Sequence, residues 1–259
     1  TLTLSTAPGQ WYLPDVAMHP TTGQFAVAYT YQAAGTVVPG HVYATQVYVQ
    51  RFTATGTALG GAVAVGSTGA KAPELAMDTT GRILVVWNAD HLLGRFLTAD
   101  GAVAGDAFAI TESAVGEGLV QTTAVATDGQ GRFVVAWDQM RSAVFARLFS
   151  AEGTALGEAF QVNGSGDAFE PAVVMDAAGG FVMTWSNLDR DGDGSGIYSR
   201  RYEADGTGAG LEVRVNVEKA GHQFEPSMAL GAWGRILVCW TTPGASTAAG
   251  LDLHGRWLD

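Results

Sequence analysis

The residues best placed to do chemistry are carboxylates, and they fall into two groups. Asp189, Asp191, Asp193 and Ser195 occupy alternate positions of the run DRDGDGS, with Gly194 sixth. Oxygen side chains at positions one, three and five, with glycine at six, can converge on a hard cation that takes six to eight oxygen ligands, so the run is a candidate calcium site. Position twelve is Arg200, where a helix-loop-helix calcium site supplies a bidentate glutamate. The site would therefore be a variant completed by backbone or water. The other reading is a solvated hairpin loop, in which aspartates favour turns and glycines allow positive φ.

The second group stands beside prolines. Asp15 and Glu74 follow Pro14 and Pro73, while Glu170 and Glu225 precede Pro171 and Pro226. Paired carboxylates are what glycoside hydrolysis requires, one acting as acid and the other as base or nucleophile. Against that, Glu170 and Glu225 sit at equivalent places of a repeat, as duplicated loop residues do, and a polar rim around a channel would use the same residues. Aromatic and polar groups lie nearby in sequence: Trp11 and Tyr12 before Asp15, and His222, Gln223 and Phe224 before Glu225. An aromatic ring can stack on the C–H face of a sugar while amides and carboxylates take its hydroxyls. Phe169 and Phe224, at equivalent places, are read as packing residues.

These groups are positioned by a repeat. Five segments match one another: QFAVAYT from 24, RILVVWN from 82, RFVVAWD from 132, GFVMTWS from 180 and RILVCWT from 235. Each follows a glycine and is apolar at successive positions, which predicts strands covered on both faces. A shorter strand precedes each glycine turn, and proline is expected to open four of these five, where a missing amide is tolerated. A third strand carrying Arg95, Arg147, Arg200 or Arg256 and a short fourth strand follow. Those arginines are expected to pair with acids. Four antiparallel strands per unit is a propeller blade.

The anchor aromatics Tyr29, Trp87, Trp137, Trp185 and Trp240 recur every 48 to 58 residues, and counting from Trp240 through the end and on from Thr1 to Tyr29 adds 48. The fifth unit lacks a fourth strand, and residues 1–14 align without a gap to residues 213–226. The expectation is an all-β, single-domain, five-bladed β-propeller over residues 1–259. Its blades run approximately over 14–65, 73–111, 122–163, 171–216 and 226–259 plus 1–4. The N-terminal strand completes the last blade and removes two exposed sheet edges.

The repeat, particularly GIYSRRYEADG and the segment ending in proline, resembles repeats of secreted bacterial β-propeller and adhesin-like proteins. That resemblance covers nearly the whole chain and implies an extracellular setting. Pro14-Asp15 is also placed like the first carboxylate of five-bladed glycosidases, and the architecture is similar to that of five-bladed lectins.

Composition narrows the partners. The formal net charge is −11, with no basic patch of the kind that phosphate binding needs, which argues against nucleic acid. No apolar run approaches the length of a membrane span. Cys239 is the single cysteine and is read as a small buried hydrophobe. There is no glycine-rich phosphate loop, dinucleotide fingerprint or Ser-His-Asp pattern, so no organic cofactor is expected. The sequence points to a secreted, non-catalytic, lectin-like binder of glycans with shallow sites between blades. A structural or adhesion module that binds a surface protein is the alternative, and a glycoside hydrolase is third.

Overall fold

A computed structural model describes residues 9–33, 45–66, 68–111, 120–243 and 250–258. Within them nineteen strands form five antiparallel sheets. The chain divides into two compact units, Thr1–Glu117 and Gly118–Asp259. The first unit holds two four-stranded sheets, β1-β2-β3-β4 and β5-β6-β7-β8. Their strands are β1 (Gly9–Met18), β2 (Phe25–Ala33), β3 (Thr45–Phe52), β4 (Val63–Ala64), β5 (Lys71–Met77), β6 (Ile83–Asn88), β7 (Leu92–Leu97) and β8 (Val103–Ala109).

The second unit holds three sheets. The third sheet comprises β9 (Val120–Thr127), β10 (Phe133–Gln139), β11 (Ala143–Phe149) and β12 (Phe160–Gln161), and the fourth β13 (Ala168–Met175), β14 (Phe181–Leu188), β15 (Ser195–Tyr202) and β16 (Val213–Arg214). The fifth has three described strands, β17 (Phe224–Leu230), β18 (Ile236–Pro243) and β19 (Leu251–Leu258). Residues 1–4, expected to complete it, lie outside the described residues. Among the described residues no helix is long and apolar enough to cross a membrane.

The doubly apolar strands pack on both faces. In β14, Phe181, Met183 and Trp185 join Val134, Ala136 and Val144 of the third sheet in one core. Val182, between them in sequence, faces the opposite way and joins Ile197 and Val215 with Ile236, Val238 and Trp240 of the fifth sheet in another. The period of two along a strand divides the residues between these layers. In the first unit Ala26, Ala28 and Val49 meet Leu75, Val85 and Trp87 in the same manner.

In the second, third and fourth sheets the turn into the central strand is built by aspartate, whereas in the first His19 Nδ1 accepts the N–H groups of Thr21 and Thr22. Asp78 Oδ1 accepts the N–H groups of Thr80 at 2.8 Å and Arg82 at 3.1 Å. Asp128 repeats this with Gln130 and Arg132, and Asp176 with Ala178 and Gly180. Such side-chain bonds mimic a backbone turn. In the fifth sheet Gly231 stands in the aspartate's place, and Trp233 takes φ 63° with 96% of its surface exposed.

The prolines do not open their strands. Pro14, Pro73, Pro171 and Pro226 lie inside β1, β5, β13 and β17, at bulges where the pairing register shifts. The residue before each, Leu13, Ala72, Glu170 or Glu225, has φ between 49° and 55°. A bulge already interrupts the ladder, so the missing amide costs nothing there. The arginines of the third strands also differ from expectation. Arg95 and Arg256 donate from Nη1 to the carbonyls of Val65 and Val215, and Arg147 and Arg200 donate from Nε to those of Gly157 and Gly210. Two carbonyl positions serve these arginines, one at the end of the preceding sheet and one in the turn of the arginine's own repeat.

Asn216, 2% exposed, ties the fourth strand of its sheet to the third. Its Oδ1 accepts the Ile197 N–H at 2.9 Å, and its Nδ2 donates to Glu218 O and Gln223 Oε1. Asn216→Ala strands a buried N–H and a buried amide oxygen together, and is expected to destabilise the protein by about 2 to 4 kcal/mol in urea unfolding. A loss below about 0.5 kcal/mol would mean that water replaces these bonds at no cost.

Candidate functional site

The site is built where β1 approaches β5 in the first unit. Asp15 is paired with Ala28 and Tyr12 with Thr30. Because Ala28 and Thr30 are two apart on one strand, Asp15 and Tyr12 project from the same face, the intervening bulge having absorbed Leu13 and Pro14. Trp11, paired with Tyr31, projects from the opposite face. It is half-buried against Tyr29 at 5.0 Å and Tyr31 at 4.4 Å between ring centroids. The two aromatics singled out together in the sequence therefore do not share a surface.

Asp15 Oδ2 accepts the Leu75 N–H at 2.6 Å, which brings its carboxylate to the residue next to Glu74. Thr30 Oγ1 accepts the N–H of Ala72 at 3.1 Å, holding the bulge of β5 from the neighbouring sheet. Thr30 is fully buried and carried no signal in the sequence beyond following Tyr29.

Electrostatics separate the two carboxyl groups. Burial, reinforced by the Asp15 charge, pushes Glu74 up to about 8. Burial also raises Asp15, but the N–H groups of Leu75 and Val16 oppose the rise. Two carboxylates in one partly buried place do not readily ionise together. Glu74 is therefore the member of the pair that keeps its proton near neutral pH, beside an Asp15 carboxyl that accepts a backbone N–H. The pair thus offers a hydrogen-bond acceptor and a donor side by side, and the same distribution suits an acid working beside a base.

Glu170 and Glu225 use a related device for a different end. Glu170 Oε2 accepts the Glu225 N–H at 2.8 Å and the Ser186 hydroxyl at 3.0 Å, while Thr241 donates to Glu225 Oε2 at 3.4 Å. Glu170 thus supports the bulge of the next sheet, as Thr30 does in the first unit. Phe169 is buried beneath the Arg141 guanidinium at 3.8 Å, as its packing role requires.

At the 189–195 loop the oxygens have separate engagements. Asp191 Oδ2 accepts from Asn216 Nδ2, Asp193 Oδ2 accepts from the Gly221 N–H, and Ser195 Oγ donates to Gln223 O at 2.8 Å. Asp189 lies at φ 55° with its N–H on Gly194 O. Among the described residues no group of three or more His, Cys, Asp or Glu side chains is gathered as metal ligands would be. Arg190, the apparent filler of the motif, pairs with Glu212 and lies 4.4 Å from the centre of the Tyr198 ring. Gln223 is 1% exposed, with its amide engaged by Asn216, Ala220 and Gly221. His222 beside it is exposed, with Nδ1 3.4 Å from Ser195 Oγ.

No protein-family model and no curated protein matches this chain. Solved structures do. A Dyadobacter fermentans protein of unknown function superposes with a TM-score of 0.64 at 12% identity, over 97% of this chain and 79% of that one. A Hadza microbial sialidase gives 0.59 at 10% identity, over 96% of this chain and 53% of the sialidase. The Podospora anserina α-L-arabinofuranosidase in complex with cellotriose gives 0.50 at 13%, over 95% of this chain and 89% of that one. At such identities the likeness is one of fold. The chain has a β-propeller fold, and glycoside hydrolases are among its structural neighbours.

Proposed function

We propose that this protein is a carbohydrate-binding β-propeller and that a saccharide is held at the Asp15–Glu74 pair, with Tyr12 on the same face. The reading is carried by two adjacent, partly buried carboxyl groups, Asp15, which accepts the Leu75 N–H, and Glu74, which keeps its proton near neutral pH. Sugar hydroxyls donate and accept together, and that pair meets both demands. The proposal includes a closed five-bladed ring whose fifth sheet is completed by residues 1–4. In its support, Leu253 of β19 is 77% exposed, whereas Leu92, Val144 and Ile197, at the same place in the second, third and fourth sheets, are at 0%.

The proton distribution also favours a second reading, glycoside hydrolysis. There Glu74 protonates the leaving oxygen, and Asp15 acts as base or nucleophile. One experiment separates the two: a glycan array with the labelled protein, with and without calcium, alongside turnover of chromogenic glycosides. Binding that free sugar competes away, and that Asp15→Asn and Glu74→Gln abolish, is the expected result. Turnover that these variants lower by about a hundredfold or more establishes hydrolysis instead. A blank array without turnover overturns both and leaves a scaffold that presents a face to protein partners.

A further inference from the structure

The turn into β18 breaks its repeat at Trp233, which stands where the second, third and fourth sheets carry Thr80, Gln130 and Ala178. In those turns the aspartate accepts that residue's N–H, and Gly231 has no side chain with which to do so. Trp233 takes φ 63° and is 96% exposed. A positive φ is unfavourable for a bulky side chain, and such an outlier points to a role outside the chain's own packing. Within one copy the indole gains no burial to offset the strain.

Beside this turn the repeat also omits a side chain. After the turn glycine the other sheets carry Gln24, Arg82, Arg132 and Arg235, and the fourth sheet carries Gly180. Arg132 uses that position to reach the turn of the next sheet, donating from Nη2 to Ala178 O at 3.1 Å. Gly180 cannot reach the turn at Trp233 in this way. A cleft of about 200 Å³ opens there, within the second unit between the fourth and fifth sheets. Val174 and Val182 line it from one sheet, Leu230 and Ile236 from the other. Gly234, the residue after Trp233, also lines it, and Asp176, Arg201 and Glu203 are its exposed charged residues.

We propose that this face pairs two copies of the chain about a two-fold axis, the Trp233 indole of each entering the cleft beside Trp233 of the other. A two-fold interface must be self-complementary, and here the protruding group and a recess of its size lie on one turn of every copy. The recess has apolar walls for the ring and carboxylates at its edge for the indole N–H. Both signs of charge stand at that edge, so opposite charges can meet across the axis. Two indoles bury roughly 300 to 500 Å², well below the roughly 1,200 Å² of a stable interface. The dimer is therefore weak and transient, with a dissociation constant between about 10 μM and 1 mM. None of these residues belongs to the Asp15–Glu74 pair, and the two proposals stand or fall separately.

Sedimentation of the intact protein over a range of concentrations tests the pairing, at about 0.15 M salt to screen the repulsion between chains of net charge −11. Two variants remove the two halves of the contact. Trp233→Gly suits the φ of the turn. Gly180→Arg restores the arginine of the other repeats; Gly180 has no positive φ, and an added Cβ would meet only the Asp176 carboxylate, at 3.1 Å and beyond. A reversible monomer–dimer equilibrium is expected for the natural chain, weakened about tenfold or more by either variant, with urea midpoints of the monomers no lower than that of the natural chain. A natural chain that stays monomeric at about 1 mM, growth past the dimer, or an unchanged equilibrium in either variant would overturn the proposal. Monomeric protein that binds another protein or a lipid vesicle through Trp233 would overturn it as well.

Discussion

Glu74→Gln is expected to make the protein more stable in alkaline solution than the natural chain. Burial and the Asp15 charge raise Glu74 from 4.5 to about 8 in the folded state. Between those values the folded protein keeps a proton that the unfolded chain has released, so stability falls as pH rises. The favourable contribution is complete below about 4.5 and is lost as pH climbs through about 8. At about 1.4 kcal/mol per unit the ceiling is roughly 5 kcal/mol, and sharing of the proton with Asp15 brings the expected effect to about 2 to 3. Glutamine keeps the shape and a donor but cannot ionise. Urea unfolding at pH 5, 7 and 9 should therefore show the variant near parity at pH 5 and ahead by that amount at pH 9. Parallel pH profiles for the two proteins would mean that Glu74 ionises in the folded state as freely as in water, and the donor half of the proposed site would be lost with it.

Trp185 separates the contribution of volume from that of polarity. It is fully buried between the third and fourth sheets, and among the described residues its indole Nε1 has no hydrogen-bond partner. Trp185→Ala empties a large volume at a junction of two sheets and should cost about 3 to 5 kcal/mol, enough to lose cooperative unfolding in a marginally stable chain. Trp185→Phe keeps most of the apolar area and removes a buried, unpaired donor, so the two changes partly cancel and about 1 kcal/mol or less is expected. Calorimetry of both variants tests this. A phenylalanine as damaging as alanine would show that the indole N–H has an essential bond, through water, and that the core is less dry than its lining.

Some of the site was legible because it depends on the chain's own order. Asp15 and Glu74 stand out as carboxylates beside prolines in equivalent repeats, and the strands around them announce themselves by apolar residues at successive positions. What prolines do there was not legible. The sequence reads equally well with proline opening a strand or filling a bulge; only the paired neighbour, with Tyr12 on Thr30 and Asp15 on Ala28, decides. The bulge in turn places Asp15 on the face of Tyr12 and away from Trp11. Thr30 and Arg190 escaped notice for a related reason: an unremarkable residue gains its role from a partner distant in sequence, Ala72 for one and Glu212 for the other. Gln223 misled in the opposite direction, since a polar residue beside aromatics reads as a ligand contact until its burial is known.

The sequence by itself determined the repeat, the antiparallel strands, the two-sided burial of the anchor strands and the acidic surface. These follow from periodicity, turn residues and charge, which act over a few residues and need no knowledge of what lies across the sheet. The tertiary structure alone decided which carboxyl group keeps a proton and which aspartates are engaged by amides. Those outcomes depend on desolvation and on contacts between residues tens of positions apart, and both exist only once the sheets have packed.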